Sequence, residues 1–225
     1  MVGPRLAIVI PSYREGSSIG PLVKGARKFG AVIVIDDCSH DETAAVAEAN
    51  GATVFVNKQN CGYDGALSRG FAEAANAGFT HVVTMDADGE HSPDNLAAFR
   101  EYLINERTPL VLGFRARKQR LSESIMGAIV RRRFGVLDIL CGMKGYDLAL
   151  WRANRGFDHC GGIGTELALS ALKRGTAFRQ VAVVGVPRED APRFGRGLKA
   201  NFRIFSGLCR SLRRPVLEHI QLEDL

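Results

Sequence analysis

The chain has 225 residues, a net charge of +6 and a hydrophobic fraction of 46%, which is typical of a globular protein. No apolar run approaches the roughly 18 residues that span a bilayer, and Pro11, Arg14 and Glu15 interrupt the N-terminal apolar run, so we expect neither a membrane-spanning helix nor a signal peptide. The five cysteines lack any C-x-x-C spacing, which predicts a reduced, cytoplasmic setting without a structural zinc site.

Charge is distributed unevenly along the chain. Residues 1–112 contain 9 basic and 14 acidic residues, whereas residues 113–225 contain 21 basic and 10 acidic residues. A basic second half favours an anionic partner such as phosphate, nucleic acid or a membrane surface, although a solvated basic face has the same composition. Because no aromatic–basic interleaving accompanies the charge, we expect no nucleic-acid partner.

Short β-rich runs alternate with helical patterns through the first half. The intervening segments carry Ala, Leu and Phe at helical spacing, and strands are predicted at 5–10, 31–35, 53–56, 81–85 and 110–113. This alternation predicts an α/β fold, with a Rossmann-like, mostly parallel central sheet and helices on both faces. No linker or repeat divides the chain, so we expect one domain over residues 1–225.

The second half is less regular. A helix is predicted at 122–140, followed by a loop that enters a strand at 141–151. A second helix is predicted at 164–175 and a strand at 177–187. Residues 198–214 place Leu and Phe on one side and Lys and Arg on the rest. That pattern is typical both of a helix lying on an anionic membrane and of a helix packed on a protein core.

Polar segments follow every predicted strand of the first half, at the edge where parallel sheets bind ligands. After the fourth strand comes MDADGEH, residues 85–91. In extended backbone, side chains at i and i+2 point the same way, so Asp86 and Asp88 would converge, and Glu90 would follow if the extension continued past Gly89. Converging carboxylates suit Mg²⁺ or Mn²⁺, which in turn binds a diphosphate. For Glu90, helix capping is an equally good explanation.

The second polar segment, VIDDCSHDET, contains two kinds of acid. Asp41 and Thr43 have the pattern of helix capping. Asp36 and Asp37 are harder to explain in that way. A carboxylate at this position would accept hydrogen bonds from a nucleoside base or ribose.

Four segments, IPSYRE, VIDDCSHDET, NCGYDGAL and MDADGEHSPD, occur in the order and spacing of the family 2 glycosyltransferases, which have the GT-A fold. They resemble most the branch of polyprenol-phosphate mannosyl- and glucosyltransferases, which includes dolichol-phosphate mannose synthase. The resemblance covers residues 1–115 well and the remainder more weakly. It implies that residues 1–115 bind the nucleotide sugar and that residues 116–225 bind the acceptor.

The resemblance also implies a role for individual residues. Those that would line the nucleotide pocket or hold the base and ribose are Pro11, Tyr13, Glu15, Asp36, Asp37, Asn60, Gly62 and Gly65. The D-x-D pair would be Asp86 and Asp88, with Asp88 the principal metal ligand, Glu90 a third ligand and Arg115 near the donor phosphates. The sequence departs from the usual pattern at Arg14 (usually Asn), Asp64 (often Gly or Lys) and Glu90 (usually Gln).

These observations predict a metal-dependent, inverting glycosyltransferase that moves a sugar from a UDP- or GDP-sugar to a lipid phosphate or an envelope glycan. It would act at the cytoplasmic side of a membrane, through peripheral contact with anionic lipid or through an integral membrane partner. A sugar-hydroxyl acceptor requires a general base, for which Glu166 and Asp190 are candidates and the resemblance favours Glu166. A lipid phosphate needs only cations, such as Arg131–Arg133, Arg193, Arg196 and Lys199.

Two other functions remain open on sequence alone. A catalytically silent relative would bind a sugar nucleotide without transferring the sugar. The departure from the usual Asn at Arg14 is compatible with this alternative. A sugar-phosphate nucleotidyltransferase has a similar architecture but usually carries a Gly-rich basic loop after the first strand, which PSYREGSS does not resemble.

Overall fold

The computed structural model describes residues 3–115, 121–185, 206–207 and 209–215, apart from the side chains of 121–126. The second candidate base, Asp190, and the basic residues Arg193, Arg196 and Lys199 lie outside these ranges. In the described part, seven strands form one sheet in the order β3-β2-β1-β4-β6-β5-β7. The strands are β1 (Leu6–Ser12), β2 (Ala31–Asp36), β3 (Thr53–Val56), β4 (His81–Thr84), β5 (Leu110–Arg115), β6 (Lys144–Asp147) and β7 (Phe178–Val183).

The prediction of a mostly parallel α/β sheet is confirmed. Strand β6 runs antiparallel to both of its neighbours, and the other pairings are parallel. All five strands predicted in the first half are present and point the same way, because β4 and β5 are each antiparallel to β6. The sequence pattern did not reveal the antiparallel strand, because its direction depends on which neighbours it pairs with.

The helices lie between the strands. They are α1 (Ile19–Ala26), α2 (Thr43–Ala49), α3 (Gly62–Asn76), α4 (Leu96–Arg100), α5 (Leu121–Phe134), α6 (Leu148–Asn154) and α7 (Glu166–Lys173). A 3₁₀ turn (Pro93–Asn95) precedes α4, and a π-helical turn (Glu101–Asn105) follows it.

The segment 141–151 was predicted as a loop that enters a strand, and the strand is β6. Its last residues are helical instead of extended, because the Asp147 side chain accepts a hydrogen bond from the Ala149 N–H at 2.8 Å and caps α6.

Apolar side chains cover both faces of the sheet. One cluster packs α3, α6 and α7 against the sheet, and the other packs α1 and α4 against the opposite face. Phe71 of α3 lies at the centre of the first cluster, with its ring centroid 4.8 Å from that of Phe157 and 5.5 Å from that of Tyr146. Gly70 allows α3 to approach β1 closely, since a Cβ there would lie 2.3 Å from Cγ1 of Val9. This packing holds the first turn of α3 at the carboxyl edge of the sheet.

The described part of the 198–214 segment is helical through Arg213 and packs on the protein. Cys209 and Leu212 contact the α7 side of the core. The Lys173 ammonium of α7 donates to the carbonyl oxygens of Ser211 (2.5 Å) and Arg214 (2.9 Å). Over these residues the core-packed interpretation therefore fits better than a membrane-surface helix. No helix in the described ranges is long and apolar enough to cross a bilayer.

Candidate active site

The carboxyl ends of β1, β2 and β4 lie side by side at one edge of the sheet. Ser12 pairs with Asp36, and Val9 pairs with Thr84. Because β6 is antiparallel, its first residue, Lys144, pairs with Thr84, and the residues before it reach the same edge. The chain leaves β1 to one side for β2 and returns on the other side for β4, and α/β sheets bind ligands at such a switch point.

Asp37, at the end of β2, holds the first turn of α3. Its carboxylate is 4% exposed and accepts hydrogen bonds from Asn57 Nδ2 (2.7 Å), from the Cys61 N–H (2.8 Å) and from the Gly62 N–H (2.7 Å). Asn60 Nδ2 also donates to the Asp37 carbonyl oxygen at 3.2 Å. An acid at a helix N-terminus is electrostatically favourable. The sequence analysis missed this structural role, and a contact of Asp37 with base or ribose stays a prediction.

Asn60, Gly62 and Gly65 shape the same turn. Gly62 has φ 73°, a left-handed conformation that glycine adopts at little cost. A Cβ at Gly65 would lie 2.6 Å from Cβ of Cys61. The backbone conformation and the close packing of this turn explain why both positions are glycine. The predicted closeness of these glycines to a nucleotide is untested.

The loops after β1 and β2 are hydrogen-bonded to each other. The Arg14 N–H donates to Ser39 Oγ (2.9 Å), and the Glu15 N–H donates to Thr43 Oγ1 (2.8 Å). Asp36, 2% exposed, accepts from the Ser39 N–H at 3.1 Å. Arg14 has φ 57°, a region that Asn enters more readily than Arg. The departure from Asn at this position therefore carries a backbone cost.

The residues predicted for the nucleotide pocket lie at this edge. Pro11 is buried in β1, whereas Tyr13 is 38% exposed. Glu15 is 9% exposed and accepts a hydrogen bond from Ser18 Oγ at 2.9 Å. The same hydroxyl lies 2.9 Å from the carbonyl oxygen of Ala87, which links this loop to the Asp86–Asp88 loop.

Asp86 contacts three separate parts of the chain, at Tyr63, His91 and Gly142. Its Oδ1 accepts a hydrogen bond from the Tyr63 hydroxyl at 2.8 Å, and its Oδ2 lies 3.9 Å from Nδ1 of His91. The carboxylate rests directly on the backbone of Gly142, where a Cβ would lie 1.9 Å from Oδ2. Burial, followed by the charge of Asp86, raises the pKa of Tyr63 well above its ordinary value, so the hydroxyl keeps its proton and donates.

The backbone beyond Asp86 turns instead of remaining extended. Gly89 has φ 76°, and the Glu90 N–H donates to Asp88 Oδ1 at 3.0 Å. Glu90 was expected to point the same way as Asp86 and Asp88 only if the backbone stayed extended past Gly89. The backbone turns at Gly89, so that condition is not met. Asp88 and Glu90 as metal ligands stay predictions.

His91 is a buried imidazole without a hydrogen-bond partner. The residue is 4% exposed, and neither ring nitrogen is hydrogen-bonded within the described part of the chain. Leaving a buried polar group unpaired costs about 1–3 kcal/mol, so such a group requires an explanation. Its Nδ1 faces the Asp86 carboxylate. A bound cation or its water would supply both the charge that Asp86 attracts and the partner that His91 lacks.

The residues present fit a divalent cation. Carboxylate oxygens suit Mg²⁺ and Mn²⁺, and such ions keep bound waters to which an imidazole close by could hydrogen-bond. The Asp86 carboxylate packs on Gly142 and lies beside the imidazole of His91. The residue is partly exposed, so a ligand could reach its oxygens. Asp86 is therefore the carboxylate whose surroundings suit such an ion, and Asp88 as its partner stays a prediction.

Arg115 is paired with Asp138. Its Nε lies 2.8 Å and its Nη2 3.2 Å from the Asp138 carboxylate oxygens. Burial raises the pKa of Asp138, but the hydrogen bonds and charge of Arg115 lower it more, and the net value lies below the ordinary one. The predicted contact between Arg115 and donor phosphates is untested. In this structure the Asp138 carboxylate holds the guanidinium in place.

Lys144 is a buried cation beside the same groups. It is 3% exposed, and its ammonium donates to the Cys141 carbonyl oxygen at 2.5 Å. Burial lowers its pKa, while the nearby Asp86 and Asp138 oppose that change. The Lys144 side chain therefore lies in the electrostatic neighbourhood of the Asp86 carboxylate.

Glu166, the first residue of α7, is 2% exposed and surrounded by donors. Its Oε2 accepts from the N–H groups of His159 (2.7 Å) and Cys160 (3.0 Å) and from the Cys160 thiol (2.9 Å). Its Oε1 contacts His159 Nδ1 at 2.9 Å and the Arg214 guanidinium. The predicted role of Glu166 as a general base is untested, and it would require this network to open.

Tyr63, His91, Gly142 and Lys144 contribute to the site but were not among the predicted site residues. Tyr63 and His91 stand inside two of the four motifs. Gly142 and Lys144 stand in CGMKGY, residues 141–146, where the resemblance to the family is weaker. What the sequence could not supply is that all four converge on Asp86, because Tyr63 and Gly142 reach it from distant parts of the chain.

The fold and the site together define an α/β protein with a candidate ligand site at the switch point of its sheet. The family profile described as Glycosyl transferase family 2 matches residues 7–146, and the chain belongs to this family. A solved structure of glucosyl-3-phosphoglycerate synthase from Mycobacterium tuberculosis, in complex with Mn²⁺, UDP and phosphoglyceric acid, superposes with a TM-score of 0.76. It covers 95% of this chain and 80% of that one at 22% identity, so it establishes the GT-A fold.

Curated relatives include lipid-phosphate enzymes. The undecaprenyl-phosphate mannosyltransferase of Micrococcus luteus is 32% identical over 120 residues, which is 49% of this chain and 48% of the relative. The glycosyltransferase AglJ of Haloferax volcanii is 27% identical over 205 residues, which is 82% of this chain and 64% of AglJ. The chain thus spans about half the length of the first of these relatives and less than two thirds of the second.

Proposed function

We propose that this protein is an inverting, metal-dependent glycosyltransferase that moves a sugar from a UDP- or GDP-sugar to a lipid phosphate or an envelope glycan. The observation that carries the proposal is the Asp86 carboxylate, placed at the switch point of the sheet beside the unpaired imidazole of His91. The relatives named for undecaprenyl-phosphate and dolichyl-phosphate acceptors support the lipid acceptor. The UDP and Mn²⁺ bound to the structural neighbour support the donor and the ion.

The donor would bind at the carboxyl edge of β1, β2 and β4. Asp86 and Asp88 would hold Mg²⁺ or Mn²⁺, and Glu90 would join them as a third ligand only if the turn at Gly89 opened. When bound, the cation supplies charge neutralisation for the leaving diphosphate. The predicted pocket residues would then surround base and ribose: Pro11, Tyr13, Glu15, Asp36, Asp37, Asn60, Gly62 and Gly65. Direct attack by the acceptor opposite the diphosphate inverts the anomeric carbon.

A lipid phosphate is the acceptor that the site favours. Such a phosphate is ionised and needs no general base, only cations to hold it. The exposed Arg131–Arg133 of α5 would supply positive charge on the acceptor side, while Arg115 would approach the donor phosphates. A sugar hydroxyl would instead need a base such as Glu166, whose carboxylate already accepts from several donors. The enzyme would meet its lipid at the cytoplasmic face of a membrane, by peripheral contact or through an integral membrane partner.

A donor panel tests this function. UDP-, GDP- and dTDP-sugars are offered with Mn²⁺ or Mg²⁺, and sugar hydrolysis, transfer to polyprenyl phosphate and metal-dependent thermal shift are followed. The Asp88→Ala variant should lose the metal-dependent shift and at least about 100-fold in rate, since metal ligands matter at least as much as the residues that orient them. Asp94→Ala, which removes an exposed carboxylate from the following turn, is the matched control. A wild-type protein that responds to no nucleotide and behaves like Asp88→Ala would rule the proposal out.

A further inference from the structure

Two consecutive residues in the first turn of α3 contact different parts of the site. The Tyr63 hydroxyl donates to Asp86 Oδ1 at 2.8 Å. The Asp64 carboxylate accepts from the Gly164 N–H at 2.6 Å and from the Ile163 N–H at 3.0 Å. We propose that Tyr63 and Asp64 are a pair of positioning residues that couple the Asp86 carboxylate to the loop 158–164. The inference rests on the proposed function, because it assigns Asp86 to the metal and the loop to the acceptor side.

The loop is shaped to receive Asp64. Ile163 has φ 48° and Gly164 has φ 68°, so two successive residues are left-handed. The N–H groups of both residues point to the Asp64 carboxylate, and backbone N–H groups of a turn can together form an anion-binding concavity. Hydrogen bonds from N–H groups to an ionised carboxylate are roughly twice as strong as neutral ones. Asp64 therefore fixes the end of the loop to α3.

Tyr63 touches both partners of the proposed coupling. Its ring packs against Gly164 so closely that a Cβ on Gly164 would lie 2.9 Å from Cε1 of Tyr63. Its hydroxyl, at the far end of the same ring, holds Asp86. A displacement of Gly164 must therefore move the ring or break the contact. Since the ring is rigid, movement at one edge is carried to the hydroxyl.

The rest of the loop is internally braced. Asp158 accepts from the N–H groups of Gly161 (2.8 Å) and Gly162 (2.7 Å). Glu166 accepts from the N–H groups of His159 and Cys160. Both ends of the loop are thus held by carboxylates, and the segment between them is short. We expect it to move as one piece, so that the state of Asp86 affects residues well beyond Gly164.

The pair also accounts for the departure at position 64. Gly and Lys, which are common there in the proteins that the sequence resembles, offer no side-chain acceptor for two N–H groups. The carboxylate of Asp64 does. The connection to the loop is therefore a property of this chain's own sequence, specified by one residue next to Tyr63.

The first test measures amide exchange by NMR without any metal. Tyr63→Phe removes only the hydroxyl, and we expect the amides of Ile163 and Gly164 to exchange roughly fivefold faster, the effect of losing one ordinary hydrogen bond. Tyr102→Phe, which removes a hydroxyl on the opposite face of the sheet, is the control and should leave these amides unchanged. Unchanged exchange at Ile163 and Gly164 in Tyr63→Phe would overturn the coupling.

The second test measures Mn²⁺ affinity by calorimetry in the presence of UDP. Asp64→Asn does not touch Asp86, yet it should weaken Mn²⁺ binding about threefold to tenfold, as expected for residues that orient a ligand indirectly. Glu73→Gln, which changes a partly exposed acid on the same helix α3, touches neither Asp86 nor the loop and should leave the affinity at the wild-type value. Equal affinities for Asp64→Asn and wild type would overturn the inference. If wild type binds neither Mn²⁺ nor UDP, the proposed function fails, and the metal-free exchange experiment still decides the coupling.

Discussion

The carboxylates of Asp86 and Glu166 differ in how the protein surrounds them. Asp86 accepts one hydrogen bond from a described residue, the Tyr63 hydroxyl, and faces an imidazole that is unpaired. Glu166 is 2% exposed and accepts from two backbone N–H groups, a thiol, a histidine and an arginine. Both acids follow patterns that sequence reasoning associates with catalysis. Their surroundings separate them.

This difference predicts which of the two acids binds a ligand and which one stabilises the fold. A carboxylate has about four lone-pair sites, and each one filled by the protein is closed to a ligand. At Glu166 the protein supplies the donors and the positive charge. At Asp86 most of that capacity is left for something else, and a lysine in its electrostatic neighbourhood offsets part of the charge. We therefore expect changes at Glu166 to affect stability first and changes around Asp86 to affect metal binding first.

The largest effect is expected from Glu166→Ala. Removing the buried carboxylate takes away the acceptor of the His159 and Cys160 N–H groups, and each donor left unpaired costs about 1–3 kcal/mol in the free energy of unfolding. Urea unfolding measures this loss. Glu73→Ala, which breaks the partly exposed pair with Arg69 on α3, is the control and should cost about 0.3–0.5 kcal/mol. A Glu166→Ala protein with wild-type stability but no transfer activity would instead make Glu166 a general base.

A smaller effect, confined to metal binding, is expected from Gly142→Ala. A Cβ 1.9 Å from Asp86 Oδ2 must displace the carboxylate, and we expect Mn²⁺ affinity to fall about 10–100-fold, as when a ligand loses its orientation. Gly185→Ala serves as the control, because a Cβ there meets its nearest described neighbour, the Glu90 carbonyl oxygen, at an ordinary 3.6 Å. Calorimetric titration of both variants with Mn²⁺ makes the comparison. Equal affinities would show that Asp86 is not the ligand.

The smallest effect is a pH dependence from Asp138, the partner of Arg115. Arg115 holds the pKa of Asp138 below its ordinary value of 3.8, so the folded protein binds fewer protons than the unfolded chain as the pH falls towards that value. The stability from this pair is complete above pH 3.8 and is lost as the pH falls through the lowered pKa. Urea unfolding between about pH 5 and pH 3 should therefore show a shallower decline for Asp138→Asn than for wild type. Asp94→Asn, at an exposed carboxylate, should decline like wild type, and a parallel decline of all three proteins would contradict the assignment.

Much of the fold followed from local patterns. The five strands of the first half were predicted with ends that differ by at most two residues from those observed, because each is a short apolar run bounded by polar residues. Asp41 and Thr43 were predicted to cap a helix; Asp41 Oδ1 does accept from the Thr43 N–H at 3.1 Å just before α2, but the N-cap residue is Glu42, which makes no side-chain cap. The helix α6 was missed, because Leu148–Trp151 fits a strand as well as a helix until Asp147 is seen to cap it.

The sequence by itself determined the α/β class, the family and the order of the polar segments along the sheet edge, because alternation and motif spacing are local properties of the chain. Only the tertiary structure decided which acids meet a partner. Asp37 became the anchor of α3, Glu166 became the centre of a hydrogen-bond network, and Asp86 was left facing His91 over Gly142. These outcomes depend on residues that are distant in sequence. A hydrogen bond between them exists only once the sheet has brought its strand ends together.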